Sequence, residues 1–251
     1  MSAVRSLPLE GQPQTHTTTR TRLLRMLTII TPLAVIVGLY FTLFYAGTDI
    51  EQGNVQRIFY VHVSSFAGAF VALGATVFAG IVYLRTNNPK WDALALSGVE
   101  VGLGLGVINL VTGSIWARPI WNTWWTWDPR LTSAAIMVLT YAAYLMLRSG
   151  IENPDTRRRF ASVYGILAFS TVVITLVIIR IRPDTIHPAV IGASPQNAQG
   201  GFGLTSSMTT ALSVNMVVWS VFVPLTLMWW RIRLDNLSQR VQEMRLRALE
   251  D

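Results

Sequence analysis

Cysteine is missing from all 251 residues. Disulfides, thiolate metal sites and thioether chemistry are therefore excluded as contributions of this chain, and cysteine usage says nothing about its redox compartment. Charge is scarce too. Asp, Glu, Lys and Arg make up 13% of the sequence against 51% hydrophobic residues, a balance that suits a lipid environment and leaves too little polar surface for a water-exposed globule. The few charges are mostly basic, with a net charge of +7. They cluster at the ends of apolar runs, which points to membrane orientation and anionic lipid rather than to nucleic acid.

The apolar runs are what the chain has in quantity. Six fall near residues 23–46, 59–84, 93–116, 129–147, 160–180 and 207–230, each long enough for the roughly 20 helical residues that cross a hydrocarbon core. The expected fold is all-α, a polytopic membrane protein with six transmembrane helices. Residues 1–22 are too long and too rich in Pro and Thr to begin a cleaved signal peptide, and are read as a disordered cytoplasmic arm. Residues 23–230 form the transmembrane domain, and 231–251 form a cytoplasmic amphipathic tail. Arg20, Arg22, Arg25, Arg85, Lys90, Arg148, Arg157, Arg158 and Arg159 fall at alternate helix ends, with five more arginines after the sixth span. The opposite ends carry fewer. The positive-inside rule then places both termini in the cytoplasm.

On the outer side by this topology lies "WNTWWTWDPR", residues 121–130. An interfacial belt scatters one or two aromatic residues per helix end. Here Trp116, Trp121, Trp124, Trp125 and Trp127 share one loop, which favours a flat ligand platform. Asp128 followed by Pro129 is a helix-start signal, and as the cap of span four it would fix where the platform ends. His62, near the start of span two, and His187, beyond span five, stand at the same height. Phe59 and Phe66 share the helical face of His62. Two imidazoles with no cysteine or carboxylate cluster are too few for zinc. A porphyrin iron brings its own four nitrogens and needs only axial ligands. Its apolar disc suits indole faces and its propionates suit arginines, and Arg57, Arg118, Arg130, Arg180 and Arg182 all fall near the outer side by this topology.

At these residues the chain resembles a known family. "VTGSIWARPIWNTWWTWDPRLTS", residues 111–133, flanked by His62 in "QRIFYVH" and by His187, is similar to the WWD-motif haem-handling proteins of cytochrome c biogenesis. Six spans and modest length match the CcmC type, haem exporter protein C of the system I pathway. The resemblance implies a protein of the plasma (inner) membrane that binds haem b on the outer, periplasmic side. His62 and His187 would be its axial ligands, and Trp116, Trp121, Trp124, Trp125, Trp127 and Asp128 its platform. Arg57, Arg118, Arg130 and Arg182 would meet the propionates. Haem would be transient cargo, presented to a CcmE-like haem chaperone in a transfer or lyase-like step rather than conventional catalysis, so no catalytic residue is assigned. A CcmA/CcmB-type ABC transporter and a small CcmD-like membrane subunit are the implied partners. The chain departs from the family pattern at Ala117, where glycine is usual, at Ser64, where proline is common, and in the basic "IIRIRPDT", which lacks a tryptophan pair. The competing function is a membrane b-type cytochrome for electron transfer, whose haem usually lies at membrane depth rather than at span ends.

Other features leave their alternatives open. Gly98, Gly102 and Gly106 form overlapping GxxxG steps that let helices approach closely. Glu100 inside a span is either a structural bond to a neighbouring helix or part of a subunit interface. Leu234, Leu237, Val241, Met244 and Ala248 give the tail an apolar stripe, for the bilayer, the protein's own surface or a cytoplasmic partner. The turn-rich segment 193–207 reads as a lid or a docking loop.

Overall fold

Helix-start chemistry sets the architecture. Asn88, Asp128 and Asn153 each precede a proline, and each side chain accepts a hydrogen bond from a first-turn amide (Lys90 N, Arg130 N, and both Asp155 N and Thr156 N). Proline is tolerated there because its missing N–H would be unpaired in any case. The computed structural model describes residues 16–190, 192–201 and 203–250. It contains α1 (His16–Tyr40), prolonged by a π turn over Phe41–Tyr45, then a 3-10 turn over Asn54–Arg57 leading into α2 (Ile58–Thr86). After these come α3 (Pro89–Trp121), α4 (Pro129–Gly150), α5 (Pro154–Ile181) and α6 (Ser206–Val217), which passes through a π turn over Val218–Phe222 into α7 (Val223–Glu250).

Among the described residues, six helical segments are long and apolar enough to cross a membrane, with α6 and α7 counting as one. No strand occurs among the described residues, so the all-α, six-span expectation holds. Residues 1–15 of the expected arm lie outside the described residues, whereas from His16 the chain is already helical.

The centre of the bundle is α2, which packs along α3 and also meets α5, α6 and α7. The glycines explain how closely α2 and α3 approach. A Cβ on Gly98 would lie 2.6 Å from the Ala72 carbonyl oxygen, and one on Gly102 would lie 2.6 Å from the Leu73 side chain. Gly106 performs the same service toward Val138 of α4. Phe66, Leu73, Val99, Met137, Tyr141, Tyr144 and Val172 fill the space among α2 to α5, while Leu39, Leu139 and Leu167 face outward, as lipid-facing positions do.

Two ion-pair sites tie helices of the bundle together. Glu100 of α3 forms an ion pair with Arg231 of α7, a bond between neighbouring helices. Asp92 at the start of α3 holds Arg148 at the end of α4 through two bonds, 2.6 and 2.9 Å. Both pairs lie at the end of the bundle opposite His62, and together they fasten α3, α4 and α7.

Candidate functional site

His62 sits in the second turn of α2, and its ring meets α3. The Nδ1 atom is 3.0 Å from the Asn109 carbonyl oxygen and 3.2 Å from Thr112 Oγ1. The Asn109 amide donates to the His62 carbonyl at 2.8 Å, so ring and backbone are both held. Gly113 leaves room for the ring, since a Cβ there would lie 2.9 Å from His62 Cε1. His187 lies in the loop after α5, and its Nδ1 is 2.8 Å from the Pro188 carbonyl oxygen. A carbonyl can only accept, so both contacts place the proton on Nδ1 and leave Nε2 with its lone pair. Burial pushes the His187 imidazole down to about 3, with Arg130 and His62 adding to the shift and the Pro188 bond opposing it. The ring is therefore neutral near pH 7. The two imidazole centroids are 6.4 Å apart, with planes inclined by 32°.

Asp128 connects the tryptophan loop to the second histidine. Its carboxylate caps α4 through Arg130 N at 2.8 Å. It also accepts from Thr185 Oγ1, at 2.8 Å to each oxygen, and from Ile186 N at 2.8 Å. Thr185 Oγ1 in turn receives the His187 amide at 3.1 Å. A buried carboxylate with several donors is strongly held, so one side chain fixes both the start of α4 and the backbone that carries His187.

The tryptophans divide into two groups. Trp116, Trp121 and Trp125 line the histidine pocket. Trp116 and Trp121 meet edge to face at 5.1 Å, and Trp121 lies 6.2 Å from the His187 ring. Trp124 and Trp127 are 59% and 81% exposed and do not line the pocket. The pocket, with Phe59, Val63, Leu110, Leu131 and Ala134 as apolar walls, has an empty volume of about 710 Å³ including its open mouth.

Of the arginines expected nearby, Arg130 alone lines the pocket. Its guanidinium carbon is 5.0 Å from the Phe66 ring centre, and its Nη1 is buried with no hydrogen-bond partner. The others are engaged elsewhere: Arg57 bonds Thr48, Arg118 bonds Asn122, Arg180 bonds the Ala193 carbonyl and Arg182 pairs with Asp184. Among the described residues, no group of three or more His, Asp or Glu side chains could hold a bare metal ion.

The sequence model of the family described as "Heme exporter protein C" matches residues 8–247. The chain belongs to that family. Proteins named "Heme exporter protein C" from three bacteria are similar to it. The Rhodobacter capsulatus protein is 34% identical over 146 residues, covering 58% of this chain and 59% of that protein. The Bradyrhizobium diazoefficiens protein is 28% identical over 233 residues, covering 91% and 82%. The Haemophilus influenzae protein is 32% identical over 168 residues, covering 67% of each. The match thus spans about three fifths of the Rhodobacter protein and most of the Bradyrhizobium one.

Four residues of the site escaped the sequence reading. Asn109 carried a signal, as an amide within an apolar span, and Gly113 follows it by one helical turn. Thr185 carried none. Gln52 is 6% exposed and lies in the loop after α1. Its amide donates to the Gly200 and Gly201 carbonyls at 3.1 and 3.0 Å and accepts from Trp116 Nε1 at 2.9 Å.

Proposed function

We propose that the chain binds haem b between His62 and His187 at the outer face of the plasma membrane and presents it to a CcmE-like haem chaperone during cytochrome c maturation. The observation that carries this reading is the histidine pair. The ring centroids stand 6.4 Å apart, a spacing into which two metal–imidazole bonds of about 2 Å each would fit. Both Nδ1 atoms are engaged by main-chain carbonyls, which supports Nε2 ligation on each side. Haem supplies four equatorial nitrogens of its own, so two protein ligands suffice.

Trp116, Trp121 and Trp125 would flank the disc, and Arg130, with a buried donor lacking any partner, suits a propionate. Arg57, Arg118 and Arg182 do not line the pocket and are less suited to it. Trp124 and Trp127, exposed beside the pocket, would face the chaperone. A CcmA/CcmB-type transporter and a CcmD-like subunit complete the assembly that the family suggests.

Ligation is tested by cavity rescue. His62→Gly and His187→Gly should each give a weakened or high-spin absorption spectrum, with partial recovery of a low-spin spectrum on adding imidazole. An unaltered low-spin spectrum in both variants would remove the iron ligands from the reading. Delivery is tested separately. Replacing Trp124 and Trp127 by alanine removes stacking surface worth roughly 1–3 kcal/mol per ring. This variant should keep the wild-type haem spectrum yet load the chaperone more slowly, whereas Trp125→Ala should also weaken haem retention. Full-rate chaperone loading by the double variant would leave the exposed rings as an interfacial belt.

A further inference from the structure

The helix that ends the chain does not stop at the membrane. Trp229 and Trp230 mark an aromatic boundary, with Trp230 Nε1 donating to Thr28 Oγ1 at 2.7 Å. Beyond them α7 runs to Glu250, and 231–250 at 1.5 Å per residue extend about 30 Å further. No glycine or proline follows Pro224 within α7. A helix lying on the bilayer must bend sharply where it leaves its span, and such a bend needs a break. None is present, so the extension projects from the end of the bundle that carries Asp92 and Arg148.

Its direction of facing is fixed at the root. Arg231 is paired with Glu100 and lies 3.5 Å from Asp235, and Gln239 bonds Asp235 at 3.3 Å. Asp235 and Gln239 line a cleft with Asp92, Glu100, Arg148 and Arg158. The side bearing residues 231, 235 and 239 is therefore turned toward the bundle.

The side turned away from the bundle carries a different pattern. Leu234, Leu237, Val241, Met244 and Ala248 succeed one another at steps of three, four, three and four residues, which is the a and d seam of a coiled coil. Leu234, Leu237, Val241 and Met244 are 55%, 43%, 42% and 61% exposed. Leu246 and Leu249 lie off the seam. At the flanking e and g positions every charged residue is basic: Arg233, Arg240, Arg245 and Arg247. Asp235 and Glu243 fall on the far side. Two copies of this helix, parallel or antiparallel, would set arginine against arginine, a like-charge arrangement that opposes pairing.

We infer that residues 231–250 form a docking helix for an amphipathic helix with acidic flanks on a different protein. The apolar seam supplies the contact, and the arginine rails supply register and choice of partner. The inference is independent of haem.

The test uses the full-length protein in zwitterionic nanodiscs and two synthetic helical peptides sharing leucine at a and d, one with Glu and the other with Lys at e and g. The Glu peptide should bind at least about tenfold more tightly, with a steep loss in salt. Arg240→Glu combined with Arg245→Glu balances the four flanking charges and should erase the preference, and since both side chains are exposed the fold is preserved. Val241→Asp should abolish binding of either peptide. With no native cysteine, a spin label on Val241→Cys reports the surroundings directly. It should become immobilised on adding the Glu peptide and stay out of the lipid when anionic lipid is included. Equal binding of the two peptides, binding of neither, burial of the label in anionic lipid, or dipolar coupling between copies would each overturn the proposal.

Discussion

Thr185 illustrates how much one hydroxyl can carry. It donates to Asp128 and accepts from the His187 amide, so the position of one imidazole depends on a carboxylate in another loop. Thr185→Val keeps the side-chain shape but leaves part of a buried carboxylate unpaired, at a cost of about 1–3 kcal/mol. Under the haem-binding reading, this variant should lose haem to an apomyoglobin scavenger roughly tenfold faster or more, given about 1.4 kcal/mol per decade. Wild-type retention would mean that the clamp does not set the His187 ligand. Asp128 was legible in the sequence as a cap because Asp-Pro is a local signal. Its bonds to Thr185 and Ile186 were not, since they join positions 57 and 58 residues apart. The histidines and tryptophans could be read by residue type. The division between Trp116, Trp121 and Trp125 in the pocket and Trp124 and Trp127 outside depends on how the loop turns after Asn122, which has φ of 55°.

Helix packing follows a similar division between legible and hidden. The glycine spacing in α3 announced a close approach, and the apolar runs announced the spans, because both are periodic properties of a single helix. Which helix fills the space cannot be read from one helix. Gly98 meets α2 at Ala72 and Thr76, while Gly106 faces α4. Gly98→Ala forces a Cβ against backbone that cannot rotate away, a form of overpacking that costs about 1–3 kcal/mol. The melting temperature in detergent should fall accordingly. Gly104→Ala is the matched control, since no atom lies within 4 Å of its added Cβ, and its melting temperature should stay near wild type. Equal effects from the two substitutions would separate the glycine spacing from helix packing. Glu100 shows the same limit: its burden as an ionisable group in a span was plain from sequence, but Arg231 lies 131 residues away.

Orientation across the bilayer unites these parts, and the arginine distribution makes it testable. Single-cysteine variants Asn122→Cys and Val241→Cys should react with impermeant maleimide from opposite sides of intact cells or inverted vesicles, with position 122 outside. Labelling of position 122 from the cytoplasm would turn the histidine pocket inward and end the delivery reading. At the pocket end, three separate stretches of chain meet in Gln52: its own loop, the end of α3 through Trp116, and the segment containing Gly200 and Gly201. Moving Gly200 and Gly201 away from Gln52 would break both of the bonds that its amide nitrogen donates. One amide thus staples the segment carrying Gly200 and Gly201 to the end of α3, beside a tryptophan that lines the pocket.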